Sequence, residues 1–301
     1  MHRKIKKGIT EHWKNFRIWC RDSNLMNQRA GPNVMYIPTD YEHWANTCSH
    51  AIMILPSILA SELLIWKTEQ KFAIITLTNS RVTLPNVLTL DGCNDEQCPV
   101  VPRNSSFPTY AAYEFCSRSY GASLVLLFVI STLFHWISWT QSHWKKRSHA
   151  GCCVRRPSLN KFFHICDRTT IYFFIAGSYS PWLMLHETHQ SIMWLQWAIW
   201  LAAVLGTMYT FIFLEKFKLL ETLFYLFVGI VPGVLALMYN PSHSTSSGFT
   251  ELALGGTFYI FGVLVFKCDG IIPFAHAIWH TFVTAGAISH YYGIYKHFYS
   301  S

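Results

Sequence analysis

Two histidines stand one helical turn apart in the last long apolar stretch of the chain, within Gly270-Ile-Ile-Pro-Phe-Ala-His-Ala-Ile-Trp-His280. At a spacing of four, His276 and His280 stack on one face of an α-helix. Their neighbours, among them Phe274, Ile278, Trp279 and Phe282, are those of a membrane span. Two imidazoles in hydrocarbon must be hydrogen-bonded, paired or metal-bound, because an unsatisfied polar group there is costly. This stretch alone leaves two readings open. The histidines are satisfied by neighbouring helices, or they place two nitrogens on one metal ion, for which His-x-x-x-His has the right spacing.

Few other polar groups fall inside apolar stretches. Ser131-Thr-Leu-Phe-His135 closes one of them, and Phe163-His-Ile-Cys-Asp167 opens the next. Ser131 lies one turn from His135 on the same face. Three imidazoles with a fourth position open form the ligand set of a catalytic-type zinc site. Asp167 would orient a bound water or a ligand histidine, and Ser131 would do the same or polarise a carbonyl. Taken singly, His135 reads as structural; with the other two it reads as a ligand. His164, nearer the interface, is ambiguous. Glu42, Asn46 and His50 also repeat every four residues and share one helical face. They would brace the histidine helices, although interhelical hydrogen bonding that pins the bundle is the simpler reading.

The elements that carry these residues follow from composition. Of 301 residues, 51% are hydrophobic and only 13% charged, too apolar for an ordinary soluble domain. Seven stretches approach the roughly 20 apolar residues needed to cross a bilayer, at about 44–66, 119–140, 164–185, 191–214, 219–239, 250–267 and 271–294. Pro56, Pro181 and Pro232 fall inside or at the ends of these stretches, where membrane helices tolerate them. The expected fold is therefore an all-α membrane protein, a seven-transmembrane helix bundle over 43–301 preceded by a basic tail, 1–42.

Lys and Arg set the orientation. They concentrate in the tail, in the loop near 141–163, and at Lys216, Lys218 and Lys267, whereas the short loops near 186–190 and 240–249 have none. The positive side is cytosolic. The N-terminus is then cytosolic and the C-terminus lumenal or extracellular, with a long outer loop at about 67–118. In that orientation His135, Asp167, His276 and His280 all lie near the cytosolic leaflet, a coincidence of depth that scatter would not favour.

The net charge of +8 speaks of topology and anionic lipid, not nucleic acid. Asn104-Ser-Ser106 in the outer loop is a glycosylation candidate. Cys93, Cys98 and Cys116 could hold one disulfide there, while Cys48, Cys166 and Cys268 read as packing residues. Met1-His-Arg-Lys-Ile-Lys-Lys7 has charge but no apolar core behind it, so no cleaved leader is expected.

Taken together, Glu42-x-x-x-Asn46-x-x-x-His50, Ser131-x-x-x-His135, Asp167 with Ser178-Tyr-Ser-Pro181, and Asp269-Gly-Ile-Ile-Pro-Phe-Ala-His276-x-x-x-His280 resemble the progestin and adipoQ receptor family, which includes haemolysin III-like proteins. The resemblance covers about residues 36–66 and 119–297. It implies a seven-helix bundle with zinc on His135, His276 and His280, Asp167 close by, and a receptor-like role in signalling or lipid-linked regulation. It also implies Golgi, late endosomal or lysosomal, or plasma membranes as the location, with membrane lipids and a lipid or protein ligand as partners. Relatives of the family include membrane ceramidases with a similar zinc site. The long loops depart from the pattern, which leaves the outer-face ligand and any cytosolic partner open.

The same residues serve a zinc-dependent hydrolase of lipid amides, in which zinc lowers the pKa of a bound water and Asp167 is general base. A scaffold for lipid-modifying enzymes is the third possibility. A transporter is disfavoured, since the spans carry no acidic relay and no inverted repeat.

Overall fold

The computed structural model describes residues 2–31, 34, 36–82, 108–147, 157–185, 192–214, 216–239 and 248–300. Among these the chain is helical, with no strand. Nine α-helices follow one another: α1 (His2–Asp22), α2 (Asp40–Ala51), α3 (Ile54–Val82), α4 (Tyr110–Arg147), α5 (Pro157–Met184), α6 (Leu195–Phe213), α7 (Lys218–Tyr239), α8 (Phe249–Phe266) and α9 (Ala275–Ile294). A π-helical turn, Tyr295–Tyr299, ends the last of them.

Among the described residues, five segments are long and apolar enough to cross a membrane: Asp40–Thr76, Tyr110–His143, Leu195–Phe213, Lys218–Ala236 and Phe249–Phe266. The chain is thus a multi-pass integral membrane protein. The two remaining stretches expected to span, α5 and α9, are long enough but carry the polar load. Lys161, His164, Asp167 and Arg168 lie on α5, and His276, His280 and His290 on α9. Outward-facing Leu201, Phe211, Phe227 and Leu264 on α6, α7 and α8 are exposed, as lipid contact requires.

The helices form a closed ring. Each of α4 to α9 packs on its neighbour, α2 and α3 pack on α4, and α9 returns to α2. α9 also touches α5 across the interior, so it meets helices from the beginning, middle and end of the chain, α2, α5 and α8.

The elements differ from the sequence expectation in two places. The first expected span is split, α2 ending at Ala51 and α3 starting at Ile54. Pro56 in the first turn of α3 has no N–H to give, and its ring crowds the carbonyl four residues back. Helices α3 and α4 extend into the outer loop, so Cys116 is a core residue of α4 with its Sγ 3.9 Å from Met184 Sδ. Cys93, Cys98 and Asn104 lie outside the described residues.

The basic tail holds a helix, α1, whose Trp13, Phe16 and Trp19 are exposed. Its continuation tucks under one end of the bundle. Cys20 and Met26 are buried, and Lys218 Nζ donates to Val34 O at 2.7 Å. Tyr36 O–H donates to the Glu42 carboxylate at 2.8 Å. Burial and the adjoining Glu42 charge push the Tyr36 hydroxyl well above the usual phenol range, so it stays a donor.

Candidate metal centre

α9 begins with an unusual turn. Gly270 adopts φ +72 and a Cβ there would meet the Arg29 backbone at 2.5 Å, so only glycine fits. Phe274 then takes φ 58, a left-handed conformation uncommon outside glycine. The helix starts at Ala275, which puts His276 in its first turn and His280 in its second.

His135 of α4 meets these two. Each of the three carries a donor nitrogen within 4.8 Å of the others. Ring centroids are 4.9 Å apart for His135 and His276, 5.0 Å for His135 and His280, and 4.7 Å for His276 and His280. His135 is 4% exposed and His280 2%.

The hydrogen bonding around the trio suits a cation. His135 Nε2 is buried and has no hydrogen-bond partner among the described residues, an orphan that a metal would satisfy. His280 Nδ1 lies 3.2 Å from Asn46 O and 2.8 Å from Ser49 Oγ. Donation from Nδ1 to the Asn46 carbonyl leaves Nε2 as the free lone pair. His276 Nδ1 stands 3.8 Å from Asp269 Oδ2. Three neutral imidazoles are a zinc donor set.

Asp167 of α5 lies outside this trio but lines the same cavity, with Ser131 of α4 beside its carboxyl. Of the face Glu42, Asn46, His50, two members touch the trio. Asn46 does so through its carbonyl, and His50 stacks on His280 with centroids 3.8 Å apart. Glu42 instead closes a capping box with Thr39 at the start of α2. His164 is buried, stacks on Phe134 at 5.0 Å and accepts from Arg168 Nε at 3.0 Å. Arg168 pairs in turn with the Glu221 carboxylate of α7.

Ser49 and Asp269 were not singled out from sequence. Ser49 lies one residue before His50 but pairs with a residue 231 positions away. Asp269 precedes the αL turn, and its position in the Asp269-Gly-Ile-Ile-Pro string was the only signal.

The trio borders a cavity of about 390 Å³, within the size range of small-ligand pockets. It runs from Arg29, Lys218 and Lys267 at one end, past the histidines, to Tyr259 and His290 at the other. Ile230 and Ile260 line it from α7 and α8 and are each 41% exposed on the outside of the bundle, so the wall between these helices is thin.

Comparison with known proteins gives three results. The family model described as Haemolysin-III related matches residues 41–291. The chain is 38% identical over 285 residues to "Monocyte to macrophage differentiation factor" of Homo sapiens, covering 95% of this chain and 96% of that protein. It is 33% identical over 171 residues to "Hemolysin-3" of Bacillus cereus, covering 56% of this chain and 68% of that protein. No solved structure matches.

Proposed function

This chain belongs to the haemolysin III-related family, also called the progestin and adipoQ receptor family, and on that premise we propose that it is a receptor-like, seven-transmembrane protein with an intramembrane zinc site facing a lipid-binding cavity. The observation that carries this reading is the convergence of His135, His276 and His280 on the cavity wall, each with a donor nitrogen within 4.8 Å of the others. α5 and α9 complete the seven spans, with His164, His280 and His290 buried in the interior where they cost least. The N-terminus is cytosolic, in keeping with the cluster of Lys218, Lys267 and Arg29 at the cavity end nearest the tail.

His135, His276 and His280 would hold the zinc, and Asn46, Ser49, His50 and Asp269 would set the orientation of the rings. When bound, zinc acts as a Lewis acid on a carbonyl and lowers the pKa of water. The chain's own residues supply the rest. The apolar wall takes the lipid tail and excludes bulk water, and Ser131 and Asp167 meet the polar group of the lipid. Asp167 beside the trio is also what a lipid amide hydrolase requires of a general base, and this keeps hydrolysis as the second reading.

Asp167→Asn separates the two. A receptor whose zinc ties α4 to α9 retains metal in this variant, with affinity lowered by about tenfold to a hundredfold at most. A hydrolase loses a group that contributes roughly 10²–10⁴-fold in rate. The assay pairs zinc content with turnover of labelled ceramide in reconstituted vesicles. Slow turnover by the wild type, little changed in the variant, is expected. Rapid wild-type turnover, abolished in Asp167→Asn with zinc retained, would reverse the order of the two readings.

A further inference from the structure

The far end of the cavity holds polar groups with no use in the zinc site. His290 lies ten residues beyond His280 on α9, about 15 Å along the helix axis, and is 4% exposed. One ring nitrogen faces the backbone of Leu252 on α8, and the other, like the hydroxyl of Tyr259 on α8, is buried without a hydrogen-bond partner among the described residues. The two rings meet edge to face at 5.4 Å, and both line the cavity. Phe174 packs edge to face on Tyr259, Tyr120 and Tyr179 stand near its hydroxyl, and apolar Leu127 and Val283 also line the cavity.

The backbone is cut to admit these rings. A Cβ at Gly255 of α8 would lie 2.0 Å from His290 Cδ2, and one at Gly286 of α9 would lie 2.6 Å from Tyr259 Cε1. Each helix gives up a side chain where the other inserts a polar ring. A buried imidazole nitrogen and a phenol hydroxyl left unpaired are costly, and an aliphatic pair would fill the same space without that cost. The groups therefore need a partner that enters the cavity.

We propose that His290 and Tyr259 form a second polar subsite, which hydrogen-bonds an oxygen-bearing group, a hydroxyl or carbonyl, partway along the tail of a lipid whose headward carbonyl lies at the histidine trio. This deepens the lipid-cavity reading and rests on it. The separation of about 15 Å matches about a dozen methylenes, since the zigzag C–C bonds of about 1.5 Å each advance an extended chain by somewhat less than their length. The ligand class is then an oxygenated long-chain lipid amide or acid, and a plain saturated chain is the weaker ligand because it leaves His290 and Tyr259 unpaired.

The test is binding of radiolabelled octadecanamide and 12-hydroxyoctadecanamide to the full-length protein in nanodiscs. The wild type is expected to prefer the hydroxylated amide by about fivefold to tenfold, the worth of one buried hydrogen bond. Tyr259→Phe and His290→Phe are each expected to cut that preference to less than about twofold, with octadecanamide affinity unchanged or higher. Tyr259→Phe removes one oxygen and keeps the ring, so the test stands even if His290→Phe does not fold. Equal binding of both amides by the wild type, or a preference that survives in both variants, overturns the subsite and leaves the lipid cavity intact. Binding of neither amide overturns the lipid-cavity reading and the subsite with it.

Discussion

His280 is the most closely held of the three imidazoles, gripped at Nδ1 by Ser49 and the Asn46 carbonyl and stacked on His50. Partners of this kind fix ring orientation and basicity, and their loss typically lowers metal affinity by about 10–100-fold. Ser49→Ala should therefore keep full zinc stoichiometry yet release the metal to a competing chelator at about a tenth of the concentration the wild type needs. Unchanged competition would remove Ser49 from the site. The trio was legible in the sequence because His-x-x-x-His and Ser-x-x-x-His spacings are properties of a single helix. Ser49, Asp269 and the pairing of His290 with Tyr259 were not, since each depends on which helix faces which. That depends on packing, and no local pattern encodes it.

At the scale of elements, the pairing of α8 with α9 does most to define the cavity. Two adjacent glycines of α8 behave oppositely: Gly255 lies under the His290 ring, whereas nothing lies within 4 Å of a Cβ built on Gly256. Gly255→Ala should lower stability by about 1–3 kcal/mol through overpacking. Gly256→Ala should be neutral or stabilising by up to about 1 kcal/mol, since alanine is the better helix former. Thermal unfolding of the two purified variants in detergent measures both, and equal midpoints would mean that the helices are not this close. Span positions were readable from apolar length alone, because hydrocarbon imposes it. The break between α2 and α3 was not, although Pro56 stands beside it. A proline in a membrane helix is often tolerated, and only the tertiary setting decides whether the helix yields. The αL turn at Phe274 was likewise hidden, as no residue type announces it.

For the molecule as a whole, orientation governs what reaches the cavity. Arg29, Lys218 and Lys267 share one cavity end, and Lys218 also ties down the tail at Val34. On the proposed topology, which rests on the positive-inside rule, this end faces the cytosol. In sealed vesicles with cytosolic side out, a tag at Met1 should be cut by added protease and one at Ser301 protected. The reverse pattern would place the histidines in the other leaflet. The all-helical fold and membrane residence were legible from composition, because a chain with this little charge can satisfy its backbone in lipid only by coiling or by closing a barrel.

Metal content tests the centre of this picture most directly. Zinc held by His135, His276 and His280 requires about one zinc per chain in protein purified without chelator, measured by elemental analysis. His135→Ala, which removes the buried nitrogen that has no protein partner, should lose most of it while remaining folded enough to purify as the same species by size. Wild-type protein free of zinc, or full occupancy in His135→Ala, would contradict the site.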